Sequence, residues 1–219
     1  MIDPIAVADR ARALHSRLAR AGAAPDLQVV AVTKGFGPDA VRAAVQVGLV
    51  DVGENYAQEV VEKARALVGL EPPPRVHFIG RLQRNKIRLV ADLVTLWQSV
   101  DRPELVTEIA RRAPGAAVLI QLNLSGEEHK GGCAFAEAAP LVGQAIDAGL
   151  DVWGLMGVGP GGAAEQAREG FRLLVALADE LALPVRSMGM SADLEVAVEE
   201  GSTMVRVGRD LFGLRPPRP

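Results

Sequence analysis

The sequence predicts an α/β fold of the (β/α)8 class, the TIM barrel, formed as a single domain by residues 1–219. Eight short apolar, β-branched segments alternate with segments rich in Ala, Leu, Glu and Arg that have helical periodicity. Such alternation predicts parallel strands covered by helices. The 219 residues fall slightly below the roughly 250 of a typical barrel, so we expect short connecting loops. A doubly wound open sheet is the alternative.

The predicted strands lie near residues 27–33, 49–53, 76–80, 94–99, 117–124, 152–157, 184–188 and 203–207. Helical patterns cover 38–47, 57–68, 103–113, 137–148, 163–183 and 192–200. An extra N-terminal helix precedes the first strand, because Asp3 and Pro4 form a typical N-cap and first-turn pair and apolar residues then recur at helical spacing as far as Leu18.

Composition excludes several classes of function. The formal net charge of -3 gives no electrostatic reason to expect a nucleic-acid or anionic-membrane partner. We expect a cytoplasmic protein, since charges interrupt the N-terminus and no apolar run approaches membrane-spanning length. A single cysteine, Cys133, excludes an internal disulfide. His15, His77 and His129 have no metal-ligand spacing with one another or with Cys133, so no metal site is predicted.

One lysine stands at a position suited to covalent chemistry. Only four of the 24 Lys and Arg residues are lysines, and Lys34 directly follows the apolar segment that ends in Val32 and Thr33. A lysine amine in a partly desolvated pocket has a lowered pKa and becomes a nucleophile that can form a Schiff base, which arginine cannot do. The alternative is an ordinary surface lysine just past a strand.

Two further segments predict anion binding at the same end of the barrel, where phosphate commonly binds after strands seven and eight. Ser187-Met188-Gly189-Met190-Ser191 follows strand seven, and Ser191 is a candidate N-cap for the next helix. Gly208 follows strand eight and permits close backbone approach to a ligand. Ordinary capping and a turn are the alternative for each segment. Together with Lys34, they suggest a phosphorylated aldehyde held by an imine and by its phosphate.

Three other polar residues lie in or after predicted strands. Arg206 occupies an otherwise apolar strand, which is costly unless it meets a partner, and a ligand ring is a candidate partner. Asn55 follows strand two and His77 lies in strand three, so both are candidate ligand contacts. The alternatives are a loop cap for Asn55 and a hydrogen-bonded core histidine for His77.

Several long motifs resemble the pyridoxal phosphate homeostasis protein (YggS/PROSC) family, and the resemblance runs over nearly the whole chain. They are Ala31-Val32-Thr33-Lys34, Gly53-Glu54-Asn55-Tyr56, His77-Phe78-Ile79-Gly80, Leu82-Gln83 with Asn85-Lys86, Gly154-Leu155-Met156, Ser187-Met188-Gly189-Met190-Ser191 and 201–208. The resemblance implies a barrel like the N-terminal domain of alanine racemase and binding of pyridoxal 5'-phosphate (PLP). It also implies that the protein buffers or delivers PLP in vitamin B6 homeostasis, without robust catalytic turnover.

By position, the resemblance implies a role for each candidate residue. Lys34 would carry PLP as an imine, and Arg206 would face the pyridine nitrogen. Asn55 and His77 would neighbour the ring. The phosphate would be held by Ser187, Met190, Ser191 and Gly208. Lys130 matches a loop lysine suspected of handling PLP outside the main site. The chain departs from the family pattern at Gly35-Phe36-Gly37 and at Gly157-Val158-Gly159-Pro160, which both lie at the expected mouth.

The same residues are compatible with other functions. A PLP-dependent amino-acid racemase would use the same barrel, lysine and arginine, but alanine racemases add a β-domain and a partner-subunit tyrosine, whereas the sole tyrosine here is Tyr56. A cofactor-independent isomerase of phosphorylated metabolites would need Glu54 or His77 as base. An interaction module has no need of a strand-end lysine. We expect a monomer whose candidate partners, besides PLP, are PLP-dependent apoenzymes.

Overall fold

Eight parallel strands close into a barrel in a computed structural model that describes residues 2–127 and 131–215. The strands are β1 (Gln28–Val32), β2 (Asp51–Glu54), β3 (Arg75–Phe78), β4 (Leu96–Val100), β5 (Ala117–Leu122), β6 (Asp151–Gly157), β7 (Val185–Ser187) and β8 (Met204–Val207). They are ordered as in the chain, and β8 pairs with β1. Closure confirms the predicted (β/α)8 fold and rules out the doubly wound open sheet.

Helices cover the outside of the barrel. They are α1 (Pro4–Arg20), α2 (Pro38–Gln46), α3 (Ala57–Ala66), α4 (Arg84–Val90), α5 (Pro103–Arg112), α6 (Phe135–Asp147), α7 (Arg168–Glu180), α8 (Leu194–Glu199) and α9 (Arg209–Phe212). A 3-10 turn over Ala164–Ala167 precedes α7. The short helices α4 and α9 were not among the predicted patterns, because they have too few turns to establish a period.

The strands are buried on both faces, as parallel strands in a barrel must be. Apolar side chains that include Val30, Leu96 and Leu119 cluster together inside the barrel. A larger cluster packs the outer faces of the middle strands against the helices. This packing leaves the strand ends and the loops that follow them as the place where polar side chains can meet.

The predicted N-terminal helix is confirmed as α1, with the Asp3 side chain accepting a hydrogen bond from the Ile5 amide. Its buried stripe of Val7, Ala11, Leu14 and Leu18 packs in one cluster with residues of β1, β8 and α9. The helix therefore supports β1, which leads to Lys34, and β8, which carries Arg206. Within residues 2–127 and 131–215, no helix is long and apolar enough to cross a membrane.

Candidate cofactor-binding site

A pocket of about 340 Å³ lies where several strands end and their following loops begin. Six of the eight predicted site residues line it: Lys34, Asn55, Met190, Ser191, Arg206 and Gly208. They come from segments that follow β1, β2 and β7, and from β8 and the residue after it. Barrel closure brings these distant stretches of sequence to one mouth, as the fold predicted.

Lys34 is partly buried at this mouth, and its surroundings lower the pKa of its amine. Burial is the largest cause, and the positive charges of Arg215 and Arg206 act in the same direction. The carboxylates of Glu54 and Glu59 oppose the shift without reversing it. A lowered pKa increases the neutral fraction of the amine near neutral pH, which is the form that attacks a carbonyl.

Buried charges fix the backbone on both sides of Lys34. The Lys63 ammonium donates to the Thr33 carbonyl oxygen at 2.8 Å and to Glu54 Oε1 at 2.5 Å. On the other side, the Gly35 amide donates to Glu59 Oε2 at 2.7 Å. Glu59 and Lys63 lie one turn apart on α3. This helix therefore holds the lysine-bearing loop against the end of β1.

The loop after β7 differs in detail from the prediction. Ser191 was expected to be a helix N-cap, but α8 begins at Leu194 and Asp193 is its N-cap residue. Asp193 Oδ1 accepts from the Met190 amide at 2.6 Å, and Gly189 adopts φ +96°, which favours glycine. The turn closed by this hydrogen bond makes the helix start two residues later than predicted. The turn at Ser191 and Ala192 consequently faces the pocket.

Gly208 stands at the start of α9 and lines the same pocket. A Cβ atom added there would lie 3.2 Å from the Val32 carbonyl oxygen. Glycine thus lets the start of this helix approach the end of β1. Gly208 and the turn after β7 together provide adjoining backbone segments of the kind that bind phosphate.

Arg206 is buried, and burial lowers its pKa to about 10, still well above neutral pH. Its Nη1 atom donates to the Ser187 carbonyl oxygen at 2.7 Å and to Ser187 Oγ at 2.6 Å. Its Nη2 atom donates to the Gly157 carbonyl oxygen at 2.7 Å. The charged guanidinium is thus held at the pocket floor as a hydrogen-bond donor with no capacity to accept.

Ser187 and His77 do not line the pocket. Both side chains are buried, and each is hydrogen-bonded to Gln98 at 2.7 Å. Their predicted direct contact with a ligand finds no support in this geometry. His77 instead fits the alternative of a hydrogen-bonded core histidine, and Ser187 contacts the site through Arg206. The residue types alone could not reveal that both side chains point into the barrel.

Asn55 has a side-chain oxygen at the mouth that could accept a hydrogen bond from a ligand. Its side-chain oxygen is buried and has no hydrogen-bond partner within the described residues. A Cβ atom at Gly80 would lie 2.3 Å from the Asn55 carbonyl oxygen, so glycine is required where the loop after β3 meets Asn55. An unsatisfied buried amide oxygen indicates a position that a ligand donor or water would complete.

Sequence reasoning missed several lining residues: Arg81, Gln121, Arg209 and Arg215. Arg81 directly follows Gly80, and Arg209 follows Gly208, so adjacency to predicted site positions was the available signal. Lys86 lines a neighbouring groove of about 610 Å³ that shares Asn55 and Arg81 with the pocket. Lys130 and His129 lie outside the described residues. Within the described parts of the chain, no cluster of His, Cys, Asp or Glu could hold a metal ion.

The comparisons with known proteins agree on one family. The family model for the alanine racemase N-terminal domain matches residues 2–216. A pyridoxal phosphate homeostasis protein of Pseudomonas aeruginosa is 41% identical over 197 residues, covering 85% of this chain and 84% of that protein. One from Aquifex aeolicus is 40% identical over 200 residues, covering 86% and 87% respectively.

A solved structure of PipY from Synechococcus elongatus with PLP bound has a TM-score of 0.83 at 30% identity. The structural alignment covers 94% of this chain and the whole of the PipY chain. The fold and the strand-end lysine thus define a barrel of the alanine racemase N-terminal class. Within that class, the chain belongs to the pyridoxal phosphate homeostasis protein family.

Proposed function

We propose that this chain binds PLP as an imine on Lys34 and buffers or delivers it in vitamin B6 homeostasis, without robust turnover. One observation carries the proposal: an amine with a lowered pKa shares a pocket with a buried guanidinium and with the loops after β7 and β8. The names of the relatives and the PLP-bound PipY structure support the same ligand.

The donor set of the pocket fits each part of PLP. The amine of Lys34 suits the aldehyde, and the turn at Ser191 together with Gly208 suits the phosphate. Arg206 can donate to the pyridine nitrogen, and the orphaned oxygen of Asn55 can accept from a polar group at the ring edge. When bound, PLP would supply an electrophilic aldehyde and an electron-accepting ring.

The residues that line the pocket favour a carrier over a racemase. A guanidinium can only donate, so a pyridine nitrogen facing Arg206 would stay unprotonated and the ring would be a weaker electron sink, a weakness that a racemase with the same arginine would share. A racemase would also need an acid/base on each face of the substrate. Tyr56, the sole tyrosine, lines the neighbouring groove and is absent from the residues that line the pocket.

The geometry gives no support to the cofactor-independent isomerase. Its candidate bases were Glu54 and His77, and neither lines the pocket. Glu54 is buried against Lys63, and His77 lies inside the barrel.

We further propose that the chain acts in the cytoplasm as a single-domain monomer and that PLP-dependent apoenzymes receive its cofactor.

Loaded protein incubated with L-alanine in deuterated water separates the carrier from the racemase. The proposal predicts that PLP stays bound while exchange of the α-proton and formation of D-alanine are negligible by NMR and chiral chromatography. Turnover at ordinary enzyme rates, on the order of 1 per second or faster, would contradict it.

A further inference from the structure

A continuous hydrogen-bonded chain leads from the pocket floor into the barrel. Arg206 Nη1 donates to Ser187 Oγ at 2.6 Å, and that hydroxyl donates to Gln98 Oε1 at 2.7 Å. Gln98 Nε2 lies 2.7 Å from His77 Nδ1, and His77 Nε2 lies 3.0 Å from Asp51 Oδ1. All five side chains joined by these hydrogen bonds are buried.

The chain crosses the barrel. Gln98 is on β4 and Ser187 is on β7, which are not neighbouring strands, so their contact spans the interior. Asp51 begins β2 and therefore lies at the opposite end of the barrel from the mouth. There Arg75 donates to both of its carboxylate oxygens, at 2.7 and 2.5 Å. The chain thus joins the pocket to an ion pair at the far end.

The hydrogen bonds all run in one direction. Gln98 Nε2 also lies 3.2 Å from Met204 Sδ, a weak acceptor, and this contact supports the assigned orientation of the amide. With the amide so placed, His77 Nδ1 accepts and Nε2 carries the proton that Asp51 receives. Each member donates toward the Asp51 carboxylate, an arrangement in which successive hydrogen bonds strengthen one another.

We infer that Ser187, Gln98, His77 and Asp51 act as positioning residues that hold the Arg206 guanidinium toward the ring nitrogen of the bound cofactor. This inference rests on the proposed function. Within the described residues, Arg206 donates to Ser187 and to the Gly157 carbonyl and has no hydrogen bond to a carboxylate, while the charge of Asp193 acts on it without direct contact. The polarised hydrogen bonds connect Arg206 to a second counter-charge, the Asp51 carboxylate. This connection gives His77 a role although His77 does not line the pocket.

The ¹⁵N resonances of the His77 ring test this positioning role without a measurement of catalysis. In ¹⁵N-labelled protein, we expect His77 to be the Nε2–H tautomer before PLP is added. Loading changes the hydrogen bonding of Arg206, so the His77 nitrogen resonances should shift in the wild type. In the Gln98→Leu variant, which interrupts the chain at its centre, loading should leave them unmoved.

The matched control is Leu119→Val, which removes one methylene group from the apolar part of the barrel interior and leaves the hydrogen-bonded side chains unchanged. This variant should keep the loading-dependent shift at His77. Its affinity for PLP should be unchanged, whereas Gln98→Leu should weaken PLP binding roughly 3- to 10-fold, the loss expected for one hydrogen bond. Removal of the His77 signals in His77→Gln assigns them among the three histidines of the chain.

The possible failures are distinguishable. If PLP produced no imine absorbance in the wild type, the proposed function and the inference that rests on it would both be wrong. A normal imine band with unmoved His77 resonances, or with equal shifts in wild type and Gln98→Leu, would contradict the positioning role alone. A proton on Nδ1 of His77 in the unloaded protein would overturn the assigned direction of the chain.

Discussion

At the scale of single residues, positive charges dominate the mouth of the barrel. Arg206 and Arg215 lower the pKa of Lys34, and Arg209 lines the same pocket. Such crowding of cations is unfavourable in the unloaded protein and is relieved when an anion binds. A ligand phosphate would therefore stabilise the complex in two ways beyond the proposed imine: it would accept hydrogen bonds, and it would reduce the repulsion among these cations.

Phosphate contacts should consequently dominate retention of the cofactor. We expect pyridoxal to bind at least about tenfold more weakly than PLP, since charge-assisted hydrogen bonds to the phosphate are stronger than neutral ones. Gly208→Ala, which crowds Val32, should weaken PLP binding while changing pyridoxal binding little. The helical control Gly143→Ala, where an added Cβ meets nothing within 4 Å, should change neither. Equal affinities of both compounds, measured by fluorescence titration, would remove Gly208 from the phosphate site.

The sequence correctly predicted the site residues whose position depends only on where a strand ends. Lys34 lies two residues after β1, and Asn55 and Gly208 directly follow β2 and β8, so closure of the barrel was enough to bring them together. His77 and Ser187 were placed less well, because side chains of a strand alternate between two faces and one residue of register decides which face they take. The chain through Gln98 could not be predicted, since it depends on which side chains meet across the barrel interior.

At the scale of secondary-structure elements, α3 determines how the lysine loop is held. Lys63 on this helix neutralises Glu54 in a buried ion pair and also binds the Thr33 carbonyl. Burial raises the pKa of Glu54, while its contacts with Lys63 and Thr33 oppose that rise. Removing the lysine would leave a buried carboxylate without its cation, which is among the costliest changes in a core.

We therefore expect Lys63→Met to lower the free energy of unfolding by about 3–5 kcal/mol at neutral pH. The pKa of Glu54 would rise further in this variant. Because the folded state then binds a proton that the unfolded state lacks, the deficit should shrink as pH falls through that raised pKa. Adding Glu54→Gln should recover much of the loss. Denaturant unfolding of the wild type, Lys63→Met, Glu54→Gln and the double variant tests this, and a deficit independent of pH and of Glu54 would contradict it.

The N-terminal helix also connects to the phosphate loops. Arg17 on α1 forms ion pairs with Glu195 of α8 at 2.8 Å and with Asp210 of α9 at 2.5 Å. It also donates to the Ser191 carbonyl oxygen at 3.3 Å. This one side chain joins both segments proposed to hold phosphate.

Replacing Arg17 with Met should cost about 1–2 kcal/mol of stability, since the pairs are partly exposed. It should also speed PLP release, because the turn at Ser191 loses its support. The control is Arg12→Met on the same helix, whose exposed ion pair to Asp9 should contribute almost nothing. Thermal unfolding and PLP release into buffer measure the two effects. Equal behaviour of both variants would show that α1 does not support the site.

At the scale of the whole molecule, closure of the barrel removes the sheet edges through which copies could pair. Large apolar side chains that remain exposed include Ile5 on α1, Ile146 on α6, Leu173 on α7 and Val68 in the segment after α3. Scattered residues of this kind are normal for a monomer. The alternation of apolar segments predicted this architecture well, because strand order in a barrel follows chain order.

Light scattering should accordingly give a mass near 23.1 kDa across a wide range of protein concentration, with and without PLP. A dimer mass that persists on dilution would contradict the proposed monomeric state. Such a result would also raise the question of whether a second subunit completes the mouth, as in a racemase.

The central claim is that Lys34 holds PLP as an imine, and borohydride reduction followed by peptide mapping tests it most directly. The wild type should lose its imine absorbance on reduction and carry one pyridoxyl group on the Lys34 peptide. Lys34→Ala should have no such band, whereas Lys86→Ala, which alters a lysine of the neighbouring groove, should behave like the wild type. A full imine band in Lys34→Ala, with the reduced adduct on another lysine, would show that the account of this site is wrong.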